Sequence, residues 1–451
     1  MANKTELNND YPSIEKSEEL YQRAKKIMTP VTQTLAKGPG QYVNGVAPKY
    51  LKRGLGSHVW DVDGNEYIDY TMGVGPLSLG YCYPRTDHAI IEQLKDGITF
   101  SLMHELEVEL SELVHEIIPN AESIRISKTG ADVCSAAIRV SRAFTGRNKV
   151  VCCGYHGWHD WYIGTTNRNL GIPEETQLMT HTFDYNNIES VKDALDEDTA
   201  CLILEPIVFE EPKNNFLQKL QASCKANGTL LIFDEMWTGF RLALGGAQEY
   251  FGITPDLAVY SKAFANGMPI SLLTGRKDVM QLFEKDVFFF TTFGGEALSL
   301  AAAVATIHEM KEKNVSKYLA DQGLKLKEGY NNLVAEFEMQ NITKCVGYPC
   351  RTMVTFDSNA GDPLIMKSYM QQELIRMGIL WTGFHNMSFS HTDEDVEYTL
   401  KAYREFLPKF KEVVESKDIK SNLKGEPVEP VFRKVSNFNT KPKEKLETAK
   451  A

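Results

Sequence analysis

The chain has 451 residues, 43% of them hydrophobic and 24% charged, and a formal net charge of −11 at pH 7. That length can bury a large core and hold more than one domain, with the composition of an ordinary globular protein. An acidic balance without a basic stripe argues against a nucleic-acid partner, and the most apolar charge-free stretch, Ala297 to Ile307, is far short of a membrane span.

The first twenty residues have no apolar core and no small-residue cleavage site, so no secretory signal is read there. Eight scattered cysteines form no CxxC pair, which points to reduced thiols and a cytoplasmic protein. Residues 1–15 are polar and read as a loose tail. Ser17 to Met28 reads as an amphipathic helix with Ser17 as N-cap. A turn-rich loop follows, then a hairpin, His58-Val59-Trp60 and Glu66-Tyr67-Ile68-Asp69, turning at Asp63-Gly64. The glycine-rich stretch from Met72 to Gly80 suits a loop lining a pocket. Helices are expected over Pro84 to Gly97 and Glu105 to Ile118.

Ser123 to Ser127 reads as a short strand leading through Lys128-Thr129-Gly130-Ala131-Asp132 into a strong helix, Val133 to Phe144. Such a turn leaves backbone N–H groups at the positive end of a helix dipole, where an anion can sit, although many strand–helix turns carry one glycine with no ligand. Val150 to Cys153 is a buried strand ending at Tyr155-His156-Gly157-Trp158-His159-Asp160, either a pocket wall or a structural loop of packed aromatics. Its histidines lack metal-ligand spacing, and no metal is expected.

Three apolar runs then end in polar residues: Cys201 to Leu204 before Glu205, Leu230 to Phe233 before Asp234, and Leu257 to Tyr260 before Ser261-Lys262. Runs of this length read as buried strands. The intervals from Glu205 to Asp234 and from Asp234 to Lys262 are 29 and 28 residues, and the first contains a helical piece, Phe216 to Ala226, closed by Asn227-Gly228. Ligands of such sheets gather outside the carboxyl ends of the strands, so two carboxylates and a lysine there point to one site. Phe288 to Gly295 reads as a further strand and Glu296 to Met310 as an alanine-rich helix. A charged helix over Lys317 to Phe337 leads into alternating strands and helices to about residue 410, and then a charged tail that Phe432 and Phe438 could pin.

A lysine in a cleft with carboxylates can form a Schiff base with a carbonyl. Pyridoxal phosphate chemistry needs that lysine, an acid for the pyridinium nitrogen and a phosphate cradle. Taken singly, Asp234 could be a helix cap and Lys262 a solvated loop lysine; together with the turn at 129–131 and the aromatic at 155 they make a set.

The segments DEMWTGFR (234–241) and PDLAVYSKAFANGMP (255–269) resemble the signature of class III pyridoxal-phosphate aminotransferases. KTGADVCSAAIRVSRAFTGR (128–147), YHGWHD (155–160) and TTFGGEALSLAAAVA (291–305) are similar to it as well, and the nearest subgroup is that of glutamate-1-semialdehyde aminomutases. The resemblance covers about residues 35 to 410. It implies an α/β chain of the type I PLP-transferase fold, with a mostly parallel seven-stranded sheet in a large domain, a smaller α+β domain, and a homodimer with shared active sites. The implied division is a tail at 1–15, a small-domain segment at 16–56, the cofactor domain at 57–325, the small domain at 326–410 and the charged tail at 411–451. The cofactor would be pyridoxal 5'-phosphate. Lys262 would be the internal aldimine lysine and Asp234 the partner of the pyridinium nitrogen. Tyr155 and Met236 would pack on the two ring faces, and Glu205 would lie near the phenolic oxygen. Thr129, Gly130 and Ala131 would hold the phosphate, with Thr292 reaching the neighbouring subunit's cofactor.

The chain departs from the subgroup in three places. The stretch GPGQYVNGVAPKYLKRGLG (38–56) does not keep the arginine that recognises the aminomutase substrate's carboxylate. Ala131 stands where a hydroxyl is common, and Glu296 where many relatives have Asn. The expected reaction is ping-pong transfer of an amino group from a donor amine or amino acid to an aldehyde or ketone, a sugar-type carbonyl among them. The alternatives are an intramolecular aminomutase and an inert binding protein of the same fold. Trp158, His159 and Arg241 are candidate substrate contacts, with Lys49, Lys52, Arg53, Arg351 and His385 further places to look.

Overall fold

The computed structural model describes residues 7–207 and 210–430. They divide into two compact units, one within His88–Lys311 and the other combining residues up to Asp87 with those from Glu312 onward.

The first unit is built on a seven-stranded sheet: β1 (Ser123–Ser127), β2 (Lys149–Cys153), β3 (Thr180–Thr182), β4 (Thr199–Leu204), β5 (Leu230–Asp234), β6 (Leu257–Ser261) and β7 (Ser271–Gly275). Their spatial order is β1-β7-β6-β5-β4-β2-β3. Strand β7 runs antiparallel to β1 and β6, and the other pairings are parallel. The expected mostly parallel seven-stranded sheet is therefore present. Every residue of β4, β5 and β7 is buried, and in the parallel strands β4 and β5 this gives near-continuous apolar runs rather than alternating ones.

Helix α1 (Gly130–Thr145) lays Val133, Ala137, Ile138 and Val140 against Val150, Ile203, Ile232 and Val259 of the sheet. It starts on a capping box, in which Thr129 and Asp132 satisfy each other's amides, and ends at Gly146 with φ = 68°. Helix α2 (Phe216–Asn227) crosses from β4 to β5 and ends at Gly228 in the left-handed region, as the Asn-Gly pair predicts.

In the second unit the hairpin His58–Asp61 and Glu66–Asp69 gains a parallel neighbour, Ile379–Leu380, with Ile379 opposite Ile68. A pairing across more than 300 residues leaves no trace in local patterning; it places the hairpin in this unit rather than with the large sheet. A second antiparallel sheet joins Thr343–Tyr348, Arg351–Phe356 and Phe384–Asn386.

Two local expectations are corrected. The first helix runs Glu15–Lys25, and Ser17 lies buried inside it instead of capping it. Asp63, from the hairpin turn, accepts from the amides of Lys16 and Ser17 at 2.7 and 2.9 Å, so the cap comes from a distant residue. The Ser17 hydroxyl instead accepts from the amides of Lys49 and Tyr50. Residues 288–295 are not a strand. The carbonyls of Phe288 and Phe289 accept from the guanidinium groups of Arg139 and Arg125 instead of from a ladder.

At the N-terminus, Tyr11 donates to Glu373 and the carbonyl of Asn8 accepts from Arg376. At the other end, the last long helix runs Asp393–Glu415 and Glu426 bridges Asn44. The rest of the charged tail, with Phe432 and Phe438, lies outside the described residues.

Candidate active site

Parallel registry sets the site. Leu204 lies opposite Phe233 and Asp234 opposite Val259, so Glu205, Asp234 and Lys262 emerge at the same carboxyl edge of adjacent strands. Lys262 follows β6 with φ = 63°, a left-handed conformation that a non-glycine residue rarely holds and that collects at functional sites. The charges of Asp234, Glu205 and Lys262 all act on the buried Cys134 thiol, which places the three around one point. Burial, reinforced by Asp234, pushes that thiol well above its ordinary pKa and keeps it protonated.

Asp234 is fully buried. Its Oδ2 lies 2.7 Å from His156 Nδ1 and 3.7 Å from Cys134 Sγ, and its Oδ1 accepts from the Met236 amide at 3.0 Å. The other imidazole nitrogen of His156, Nε2, is 3.1 Å from the Cys153 carbonyl. A carbonyl can only accept, so Nε2 carries a proton. Nδ1 faces the Asp234 carboxylate, so the imidazole bridges that acid and the strand-end carbonyl. The ring is held between Trp161, stacked at 6.1 Å, and Tyr162, edge-on at 5.4 Å. Sequence reasoning saw His156 in an aromatic cluster but did not assign it to the site. Its partner lies 78 residues away, and only the adjacency of strand ends joins them.

The strand β2 end supplies the next wall. Gly154 has φ = 110°, and a Cβ there would lie 2.8 Å from Glu205 Oε1. This close approach lets the Tyr155 amide donate to the same oxygen at 2.7 Å. The Tyr155 ring is 40% exposed and braced edge-on by Tyr162 at 5.5 Å, whose hydroxyl donates to the Gly154 carbonyl. Burial raises the Tyr155 phenol's pKa, so it stays neutral.

The start of α1 closes the other side. The first amides of a helix have no intrahelical acceptor, which leaves those of Gly130 and Ala131 at the positive end of the dipole. A Cβ at Gly130 would lie 2.8 Å from Met236 Sδ, and one at Gly157 would lie 2.7 Å from Ala131 Cβ. Met236 and the 154–160 loop therefore sit directly on this helix start. Lys128, just before it, pairs with Glu296 at 2.9 Å. Glu296 also caps the helix Ala297–Glu312 through the amides of Leu298 and Ser299. Burial works to raise the Glu296 pKa, but the Ser299 hydroxyl and Lys128 outweigh it and hold the carboxyl below its usual range. Thr292 is exposed on the 288–295 loop.

Of the candidate substrate contacts, Arg241 is buried, with its Nε donating to the Trp237 carbonyl at 3.0 Å. Trp158 and His159 line a cleft of about 440 Å³ beside α1. In the second unit, Lys49 pairs with Glu18, Arg53 lies over Trp60, Arg351 lies over Phe384, and His385 is buried between Thr352 and Tyr403. Each of these four has a packing or pairing role within its own unit.

Residues 42–387 match the family model described as Aminotransferase class-III. The chain belongs to that family. A 3-aminobutyryl-CoA aminotransferase from Cloacimonas acidaminovorans is 35% identical over 89% of this chain and 99% of its own length. A glutamate-1-semialdehyde 2,1-aminomutase from Acetivibrio thermocellus is 32% identical over 86% of this chain and 97% of its own. Among solved structures, the PLP internal aldimine form of the Sphingopyxis sp. MTA144 FumI protein superposes with a TM-score of 0.83. It is 26% identical over 91% of this chain and 99% of that one. The protein is thus an aminotransferase-family enzyme of the class III fold, and its cofactor is pyridoxal 5'-phosphate. The donor set suits that group: a lysine amine, a buried carboxylate backed by an imidazole, a flat aromatic face, and helix-start amides for a phosphate.

Proposed function

We propose that the chain transfers an amino group between two separate molecules by ping-pong chemistry, with Lys262 as both the covalent anchor of the cofactor and the proton carrier. The observation that carries this reading is the convergence of Lys262 with the buried Asp234–His156 pair at one sheet edge. When bound, the cofactor supplies an electron sink for the carbanion formed at the reacting carbon. Asp234 would keep the ring nitrogen protonated, and His156 behind it would hold the Asp234 carboxylate in place. Tyr155 and Met236 would hold the two ring faces, with Glu205 near the phenolic oxygen. The amides of Gly130 and Ala131 and the hydroxyl of Thr129 would take the phosphate. The Lys262 amine, once released, would lift the proton from the substrate carbon and return it one position away.

Thr292 would serve the neighbouring subunit's cofactor in a homodimer. Supporting this, the 288–295 loop exposes Phe288, Phe290 and Phe293, and Leu102 and Met103 are more than 80% exposed on the neighbouring 97–104 stretch. The Ala297 amide ties the two stretches together by donating to the Ile98 carbonyl at 2.8 Å. Exposed apolar surface of this kind marks a protein interface. A reducing, cytoplasmic setting fits the eight free cysteines. No helix among the described residues is long and apolar enough to cross a membrane.

For the substrate, we propose an acyl thioester of coenzyme A with its amine or ketone on the acyl chain, following the most similar relative named above. The intramolecular aminomutase is the second reading, favoured by the aminomutase relatives at 31–34% identity. The holoenzyme's absorption, followed while amino donors are added without acceptor, separates them. Transamination releases a keto product as the cofactor is aminated. Retention of both groups on one molecule contradicts it, and an unchanged spectrum with every donor revives an inert binding protein.

A further inference from the structure

The cleft beside α1 is not accounted for by the cofactor site. Ser135, Ile138, Arg139 and Arg142 form one helical stripe along it, facing the Trp158–Trp161 loop. Its volume of about 440 Å³ falls in the range of small-molecule sites. Arg139 donates through one Nη to the Phe288 carbonyl and Arg142 through Nε to the Asn148 carbonyl, each at 2.7 Å. Neither guanidinium forms an ion pair among the described residues, so each keeps donors of its planar fork for an anion. In a chain of net charge −11, two arginines without carboxylate partners in one groove form a local exception to the prevailing repulsion of anions.

The opposite wall is aromatic. The Trp158 indole is 70% exposed and stands edge-to-face with His159 at 4.9 Å. His159 is fixed from behind: Trp161 Nε1 donates to the Ser135 hydroxyl at 3.0 Å, and that hydroxyl lies 2.6 Å from His159 Nδ1. An exposed indole beside a braced imidazole is a stacking platform for a planar base. Asp160, the carboxylate among the lining residues, suits an exocyclic amine as its donor. The cleft adjoins the cofactor site through shared elements. Ser135 follows Cys134, which contacts Asp234, and Trp158 lies three residues after Tyr155.

We propose that this cleft binds the nucleotide end of a coenzyme A thioester substrate, the base against Trp158 and the phosphates on Arg139 and Arg142. This rests on the thioester reading given under Proposed function, which the experiment tests separately. Free coenzyme A is titrated into the holoenzyme by calorimetry and by tryptophan fluorescence. In parallel, the half-reaction is followed with 3-aminobutyrate and with its coenzyme A thioester, in the wild type and in Arg139→Gln, Arg142→Gln and Trp158→Ala. The proposal expects coenzyme A to bind and quench fluorescence, with affinity falling as salt rises. Each arginine variant weakens it about tenfold, raising KM for the thioester with kcat retained. Arg139→Lys, which keeps the charge but not the fork, recovers part of the loss and guards against misfolding as the cause. A thioester that reacts equally well in all variants overturns the cleft assignment and leaves the thioester reading standing. A thioester that fails while small donors react overturns both and leaves the aminotransferase reading intact.

Discussion

Two histidine–aspartate pairs in this molecule show how the same groups serve opposite ends. His156 and Asp234, at the carboxyl edge of the large sheet, are both fully buried, and the imidazole faces one carboxylate and one carbonyl. In the other unit Asp395 is also buried but His58 is partly exposed, and that imidazole bridges two carboxylates, Glu66 and Asp395, each at 2.9 Å. Asp395 also accepts from the Ser57 hydroxyl and the Thr392 amide, sealing the start of the Asp393–Glu415 helix. The second pair is a clamp whose strong donors surround the carboxylate. In the first, two of the three neighbours of Asp234 are an amide and a weakly donating thiol, so the carboxylate keeps accepting capacity for a cationic ring nitrogen. Burial without complete satisfaction is what distinguishes a site from a staple.

Substitution of the two acids breaks the comparison most sharply. Asp234→Asn should lower kcat by about 10²- to 10³-fold, as removal of a preorganised charge at the reacting group does. Asp395→Asn should lower thermal stability and leave the cofactor spectrum unchanged. The histidines come next. His156→Leu leaves a buried carboxylate without its imidazole partner and should destabilise the fold by about 1–3 kcal/mol, with weaker cofactor retention on gel filtration. His58→Leu should cost about 1 kcal/mol by denaturant titration, with retention unchanged. Gly154→Ala, forced to place a Cβ against Glu205 at φ = 110°, should cost about 1–3 kcal/mol and shift the cofactor's visible band by displacing Glu205.

The smallest effect is in pH dependence, and its sign differs from group to group. Burial lowers the pKa of His391 to about 4 and that of His385 to about 3, so both are neutral in the folded protein. An unfolded chain binds their protons below about 6.5, and stability from these groups is lost as pH falls from there toward 4 and 3. His58 opposes this: burial works against its charge, but Asp395 and Glu66 outweigh it and raise the pKa, so its contribution is lost as pH rises through the folded value. Glu235, buried beside Asp234 in the large unit, is raised from 4.5 to about 7 by burial, and its contribution fades as pH rises between those values. Denaturant titrations at pH 4.5, 6 and 7.5 should show His391→Phe flattening the acid limb and Glu235→Gln flattening the neutral one.

The site was legible where chemistry followed strand ends. Glu205, Asp234 and Lys262 each close an apolar run, and parallel registry alone brings such ends together. The cradle was legible through the Thr129 turn and the helix after it. Partners set by tertiary contact were not. His156 reaches Asp234 across 78 residues, Asp63 caps a helix 46 residues before it, and Ile379 pairs with Ile68. The run from Phe288 to Gly295 was misread as a strand because apolar β-formers at an exposed face have the same composition as buried ones.

The most direct test of the site is where the cofactor attaches. Borohydride reduction of the holoenzyme, followed by protease digestion and peptide mass mapping, fixes the Schiff base as a stable adduct. A single phosphopyridoxyl group on the peptide carrying Lys262, absent from Lys262→Ala, is the predicted result. An adduct on another lysine in the wild type, or none in a protein that holds the cofactor, would contradict it.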